Sequence, residues 1–245
     1  MTRARQSLRG GKFVFWDFHG TLAEDPGGWA RTLSEALDRH APGHGIDSEK
    51  LRLSLQEGFP WHQPEKPHPE LSNPDLWWKR LEPVFGNAFE SVGIRPVEAR
   101  ELAGTVRGVY IRPGRYRLFD DSIAVLESLR KNGWQHVIVS NHVPELSEIM
   151  DSIGLSGHFL AVVNSAVTGY EKPHPRSFEI AQEVAGEPAT AWMIGDDPLA
   201  DILGAERVGI QAILVRRQDP RCLRAAPDLF AAAKIIERSD AITGP

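Results

Sequence analysis

From residue 121 onward the chain keeps changing period, and that alternation restricts its fold more than any other feature. Residues 121–132 carry Ile123, Val125, Leu126 and Leu129 at helical spacing and close on Gly133. Residues 136–140 are a β-branched run ending in Ser140-Asn141. The pattern then repeats: helix over 145–153, strand over 159–163, helix over 175–185, strand over 191–194, helix over 199–208, strand over 210–215, helix over 227–237. Neighbouring parallel strands need a long crossover, and a helix supplies it. Strands separated by helices therefore predict a parallel sheet with helices on both faces, an α/β Rossmann-like arrangement.

One further strand belongs to this sheet and stands far upstream. Phe13-Val14-Phe15-Trp16 is a short aromatic and β-branched run, as expected of a strand buried on both faces. It stops abruptly at Asp17 and turns at Gly20. Asp17 is either a turn-forming residue before glycine or a carboxylate at the strand's carboxyl end, where open α/β sheets bind ligands.

Between these two parts, residues 23–114 read as helical with no clear strand. Trp29, Leu33, Ala36 and Leu37 mark a helix over 29–40, and Asp47 is placed to cap a second over 47–57. Residues 59–74 hold Pro60, Pro64, Pro67 and Pro69 and form a loop. Helices follow over 75–85 and 96–109, the latter with Pro96 in its first turn. The expected division is a mobile tail over 1–11, an α/β core over 12–22 and 115–245, and an inserted all-helical unit over 23–114.

Composition narrows the function. A net charge of -5 argues against a general nucleic-acid binder. Cys222 is the one cysteine, which leaves no disulfide framework and no cysteine-based zinc site, and suits a reducing cytoplasm. No apolar run approaches the ~20 residues of a membrane helix. The expected setting is cytoplasmic, away from membranes, as a monomer or homodimer.

The strand ends carry the chemistry. The first gives Asp17, the second Ser140 and Asn141, and the fourth Asp196 and Asp197, with Asp201 shortly after. The loop Gly169-Tyr170-Glu171-Lys172-Pro173 adds what reads as an exposed lysine. Clustered carboxylates repel unless a cation joins them, and hard oxygen ligands suit Mg²⁺. Lys172, Ser140 and Asn141 are donors for phosphate oxygens. An aspartate nucleophile beside Mg²⁺ equips a site for phosphoryl transfer.

Asp17-Phe18-His19-Gly20-Thr21, Ser140-Asn141, Lys172-Pro173 and Gly195-Asp196-Asp197 with Asp201 stand in an order that resembles the haloacid dehalogenase-like superfamily. The resemblance spans nearly the whole chain from Lys12. It implies a helical cap inserted between the first and second motifs. It implies an Mg²⁺-dependent hydrolase that removes phosphate from a small phosphorylated metabolite through an aspartyl phosphate on Asp17. Thr21 would support the loop and the transfer, Gly20, Ser140 and Asn141 would bind the phosphate, and Lys172 would bind it too while neutralising Asp17. Asp17, the backbone carbonyl of His19 and Asp196 would hold Mg²⁺, with Asp197 or Asp201 completing the shell.

His19 departs from the pattern, because phosphatases of this superfamily carry aspartate there as the acid and base. Imidazole titrates close to neutral pH and can take that role. Glu24 or Asp25 could supply a substitute carboxylate. The change also keeps open a dehalogenase or C–P bond hydrolase, or a catalytically weak protein that binds a phosphate ligand.

Blander roles stand beside these. Asp196 and Asp197 suit a helix N-cap, Asp201 a solvated helix position, and Ser140-Asn141 a strand-ending turn. His142 and His174 either line the pocket or stay solvated. His62 and His68, among prolines, carry no expected chemistry. Trp77 and Trp78 are adjacent on one helix and should not both face inward.

Overall fold

The computed structural model describes residues 10–243, so most of the expected tail, residues 1–9, lies outside the described residues. A six-stranded sheet forms the core. Its strands are β1 (Lys12–Trp16), β4 (Trp134–Ser140), β5 (Ala161–Asn164), β6 (Thr190–Gly195), β7 (Gln211–Val215) and β8 (Ala225–Ala226), ordered β5-β4-β1-β6-β7-β8. All pair in parallel. β1 is therefore central, and its register aligns Trp16 with Ile138 on one side and Ile194 on the other. That register brings Asp17, Ser140 and the end of β6 to one edge. Strand β8 follows a polar stretch too short to show a period, and the sequence reading lacked it.

The sheet is apolar on both faces because side chains alternate across it. Val14 and Trp16 join Ile138, Trp192 and Ile194 in one core; Phe13 and Phe15 join Val137, Val139 and Met193 in the other. The second core is covered by α8 (Pro175–Val184), through Phe178 and Ala181, and by the segment holding Ile202 and Ala205. The first is covered by α5 (Ser122–Lys131) and α10 (Leu229–Thr243), and continues without a break into the helical layer. Removing a large apolar side chain from water contributes roughly 1.5–3 kcal/mol. Phe13, Val14, Phe15 and Trp16, all fully buried, thus anchor the sheet from both sides.

The helical layer consists of α1 (Gly28–His40), α2 (Ser48–Leu53), α3 (Pro74–Ser91) and α4 (Pro96–Tyr110). Asp47 caps α2 as expected, accepting from the Glu49 amide at 2.9 Å, but α2 stops at Leu53 rather than near 57. Helix α3 runs past the expected end at 85. Pro83 removes one hydrogen bond from the Lys79 carbonyl. Lys79 lies on the exposed face, where the lost bond is tolerated, while Leu81, Phe85, Ala88 and Phe89 bury the opposite face. The expectation of no strand in 23–114 is also corrected. β2 (Ala23–Glu24) pairs antiparallel with β3 (Arg117–Leu118), a ribbon where the chain leaves and re-enters the core. The run is too short to show a period. The Arg117 guanidinium donates to Glu24 across it at 2.6 Å.

Trp77 and Trp78 correct a second expectation, since both are buried. Successive residues diverge around a helix, but α3 is covered on two sides. Trp77 faces Trp61 in the proline-rich loop at 6.3 Å between rings. Trp78 faces Trp29 and Tyr110, and its indole N–H donates to Glu145 of the sheet domain at 3.0 Å. The remaining short elements are α6 (Leu146–Ser152) and α7 (Ser165–Thr168). The expected helix over 199–208 is split: a wider π-turn over Pro198–Leu203 precedes α9 (Gly204–Arg207). Among the described residues no helix is long and apolar enough to cross a membrane.

Candidate active site

Asp17 leaves the end of β1 with its amide donating to the Ile194 carbonyl at 2.9 Å, which fixes it against β6. Asp17 as a whole is 7% exposed. Oδ1 accepts from the Ser140 hydroxyl at 3.0 Å and from the Lys172 ammonium at 2.8 Å. Thr21 Oγ1 lies 3.5 Å from Oδ2. Two donors on one oxygen hold the carboxylate in a fixed orientation and leave the other oxygen the freer of the two.

Lys172 is not the exposed lysine its loop suggested: it is 3% exposed. Its Nζ also donates to Asp201 Oδ1 at 2.5 Å. Burial alone would lower its pKa, but Asp17 and Asp201 outweigh burial and raise it, so it stays cationic. Asn141 holds the lysine in place. Its side chain accepts from the Lys172 amide at 2.7 Å and donates to the Lys172 carbonyl at 2.9 Å. The Asn141 side chain is thus committed to the loop rather than turned to an incoming anion.

Asp196 and Asp201 approach from the end of β6. Ligand atoms of Asp17, Asp196 and Asp201 all lie within 4.8 Å of one another. Burial, then Asp17, raises the pKa of Asp196; burial raises that of Asp201 although Lys172 opposes it. Such carboxylates are costly to ionise together without a cation. All three offer hard oxygens, the donor set that Mg²⁺ takes. Two glycines make the approach possible. A Cβ on Gly20 would lie 2.6 Å from Asp196 Oδ2, and one on Gly195 would lie 2.1 Å from Asp201 Oδ2. Gly20 also has φ +86, a left-handed conformation that other residues adopt at a cost.

Asp197 stands apart from this cluster. Its Oδ1 accepts from the Leu199 and Ala200 amides at 2.8 Å each and caps the π-turn. The cap reading fits Asp197, and the cluster takes Asp201 instead. The π-turn, whose amides of Asp201 and Ile202 both point to the Asp197 carbonyl, rotates Asp201 inward.

These groups line one end of a cleft of ≈ 470 Å³ between the sheet edge and the helical layer. His19 lines it and is exposed, with its ring edge-on to Tyr116 at 6.1 Å. Asp25 and His142 line it too, whereas Glu24 stays in the ribbon with Arg117. His142 is buried, which lowers its pKa to about 3 and keeps it neutral; its Nε2 meets the Tyr116 hydroxyl at 3.1 Å. His174 caps α8 through Nδ1 instead of lining the cleft.

Three supports were missed in the sequence. Arg216 donates to the Thr21 carbonyl at 3.0 and 3.1 Å and to Asp121 at 2.6 Å, bracing the loop after the Asp17 strand. Arg115 binds Asp25 at 2.8 Å in a fully buried pair. His68 reaches out of the proline-rich loop to Glu171 at 3.0 Å, both buried, and its amide donates to the Gly169 carbonyl at 2.8 Å. His68 therefore ties the helical layer to the loop that carries Lys172.

Comparison with known proteins gives a consistent set of relatives. The family described as haloacid dehalogenase-like hydrolase matches residues 12–209. A phosphoserine phosphatase of Thermus thermophilus is 37% identical over 60% of this chain and 59% of its own length. The haloacid dehalogenase-like hydrolase domain-containing protein 3 of Bos taurus is 32% identical over 85% of this chain and 83% of its own. Among solved structures, the HAD-hydrolase YfnB of Bacillus subtilis bound to magnesium superposes with a TM-score of 0.73, at 19% identity, covering 93% of this chain and 99% of that one.

Proposed function

The chain belongs to the haloacid dehalogenase-like hydrolases, and from that membership we propose that it is a phosphatase of small phosphorylated metabolites with Asp17 as nucleophile. The observation that supports this most is the convergence on Asp17 of Ser140, Lys172 and the Asp196–Asp201 pair at one sheet edge.

Asp17 Oδ2 attacks the phosphorus, and the alcohol leaves as the aspartyl phosphate forms. Ser140 and Lys172 hold phosphoryl oxygens and offset their charge. His19 gives a proton to the departing alkoxide, then takes one from the water that attacks the aspartyl phosphate, releasing phosphate and restoring Asp17. Asp17, Asp196, Asp201 and the His19 carbonyl would hold Mg²⁺, which when bound supplies positive charge opposite the transferring phosphoryl group. The helical layer acts as a cap that limits the cleft to small esters.

A dehalogenase or C–P bond hydrolase gains support from His19, but a metal-free dehalogenase leaves Asp196 and the buried Asp201 without use. A mere phosphate binder leaves the fixed orientation of Asp17 without use. The discriminating experiment is phosphate release from a metabolite panel. Activity should vanish in EDTA, return with Mg²⁺ and return poorly with Ca²⁺, which prefers more ligands in looser geometry. Asp17→Asn should abolish it while the fold persists. Turnover in chelator, or an Asp17→Asn enzyme within tenfold of wild type, refutes the proposal.

A further inference from the structure

The end of the cleft away from Asp17 is chemically distinct. Trp29, Trp61, Pro64 and Tyr110 form its walls, with Trp29 stacked on Tyr110 at 4.1 Å. One charged side chain of the helical entrance, Asp25, lines it and is 5% exposed. Its Oδ2 accepts from Arg115 Nε at 2.8 Å. Its Oδ1 is buried and has no hydrogen-bond partner among the described residues. A buried carboxylate oxygen on a cavity wall is an acceptor awaiting a donor.

The lysine and arginine that line the cleft are each paired with a carboxylate of the Asp17 cluster. Lys172 binds Asp17 and Asp201, and Arg217 binds Asp196 at 2.9 Å. Arg115 sits behind Asp25, bound to it and to the Gly28 carbonyl at 2.9 Å. Beside Asp25 a second anionic group on the substrate would thus meet aromatic faces and a carboxylate, with Arg115 held behind it, and burying a charge there is unfavourable.

Building on the phosphatase reading, we propose that Asp25 selects phosphate monoesters whose alcohol ends in a hydrogen-bond donor, hydroxyl or ammonium, and which carry no second anionic group. Oδ1 accepts from that donor while Trp29, Trp61 and Tyr110 enclose the carbon chain, and an ammonium gains further from the aromatic faces.

The test is a series of alkyl phosphates of two to six carbons ending in methyl, hydroxyl, ammonium or carboxylate, assayed with Mg²⁺. At the best chain length the hydroxyl or ammonium ester should exceed the methyl ester in kcat/KM by at least about tenfold, and the carboxylate ester should fall below the methyl ester. Asp25→Asn should bring the donor-to-methyl ratio close to one. This wild-type ranking stands by itself if Asp25→Asn does not fold. A carboxylate ester that matches the donor ester overturns the proposal alone. So does an Asp25→Asn enzyme in which all esters slow together at an unchanged ratio, since Asp25 would then serve the proton transfers. If no ester or metabolite is turned over, the phosphatase reading fails and this proposal fails with it.

Discussion

Gly20 leaves no room for a side chain, and that makes it a sharper probe of the site than most charged residues. Gly20→Ala places a methyl against the Asp196 carboxylate, 2.6 Å from Oδ2, in a backbone that disfavours any Cβ. We expect phosphate release to drop on the order of 10²-fold, with a higher Mg²⁺ concentration needed for half-maximal rate. A rate and Mg²⁺ response equal to wild type would separate Asp196 from the chemistry. His19 bears the second prediction at this scale. His19→Ala should cost on the order of 10²–10⁴-fold, whereas His19→Asp should retain substantial activity. If His19→Ala is nearly silent and Asp25→Asn abolishes turnover of every ester, the proton-transfer group is Asp25. What was legible in the sequence at this scale follows from strand ends. Asp17, Ser140 and Asp196 each terminate an apolar run, so their edge could be read directly. The choice of Asp201 over Asp197 could not, because it depends on a π-turn whose hydrogen bonds leave no periodic trace. Lys172 misled for a related reason: a lysine in a polar loop is usually solvated, and only its two carboxylate partners keep this one buried.

Elements communicate through contacts between residues far apart in sequence, which is why the sequence left them unread. His68 and Glu171 lie 103 positions apart, and each alone looks like an unremarkable loop residue. Together they fasten the proline-rich loop of the helical layer beside Lys172. Leaving a buried hydrogen-bonding group without its partner typically costs about 1–3 kcal/mol. Glu171→Gln should therefore lower the thermal midpoint and kcat together, as the Lys172 loop loosens. The double variant His68→Leu/Glu171→Leu should recover much of the midpoint without recovering kcat, and full recovery of both would assign the pair a purely structural role. The ribbon β2–β3 escaped the sequence for another reason: two residues per strand are too few for a period. The long helices α1, α3 and α4 were legible because each buries a continuous stripe.

For the molecule as a whole, a buried histidine makes stability fall in acid. His136 sits in β4 between the Trp16 indole, whose N–H donates to Nδ1 at 3.1 Å, and the Leu126 carbonyl, which accepts from Nε2 at 3.0 Å. Burial lowers its pKa to about 4. The unfolded chain, with imidazoles near 6.5, then binds the extra proton first. Stability from this site is complete above pH ~6.5 and is lost as pH falls toward 4, by a total on the order of 3 kcal/mol. Asp196 and Asp201, raised in the folded state, act in the opposite sense, so the difference from a variant is the clean measure. In urea titrations between pH 7 and 4.5, His136→Gln should show a shallower decline than wild type. Parallel declines would mean that His136 already carries its proton in the fold.

The central place of β1 has a consequence for synthesis. The strand that ends in Asp17 is made before its two neighbours, β4, from Trp134, and β6, from Thr190. At ~5–20 residues per second, the ribosome takes roughly 10–40 s to reach the second of them. For that time Phe13-Val14-Phe15-Trp16 is an aromatic segment with two open edges, the kind of sequence that pairs with other chains when left uncovered. The nascent chain must shelter this segment in the forming helical layer or in a chaperone. Slowing translation before residue 190 should then raise the aggregated fraction without changing the stability of the chains that finish.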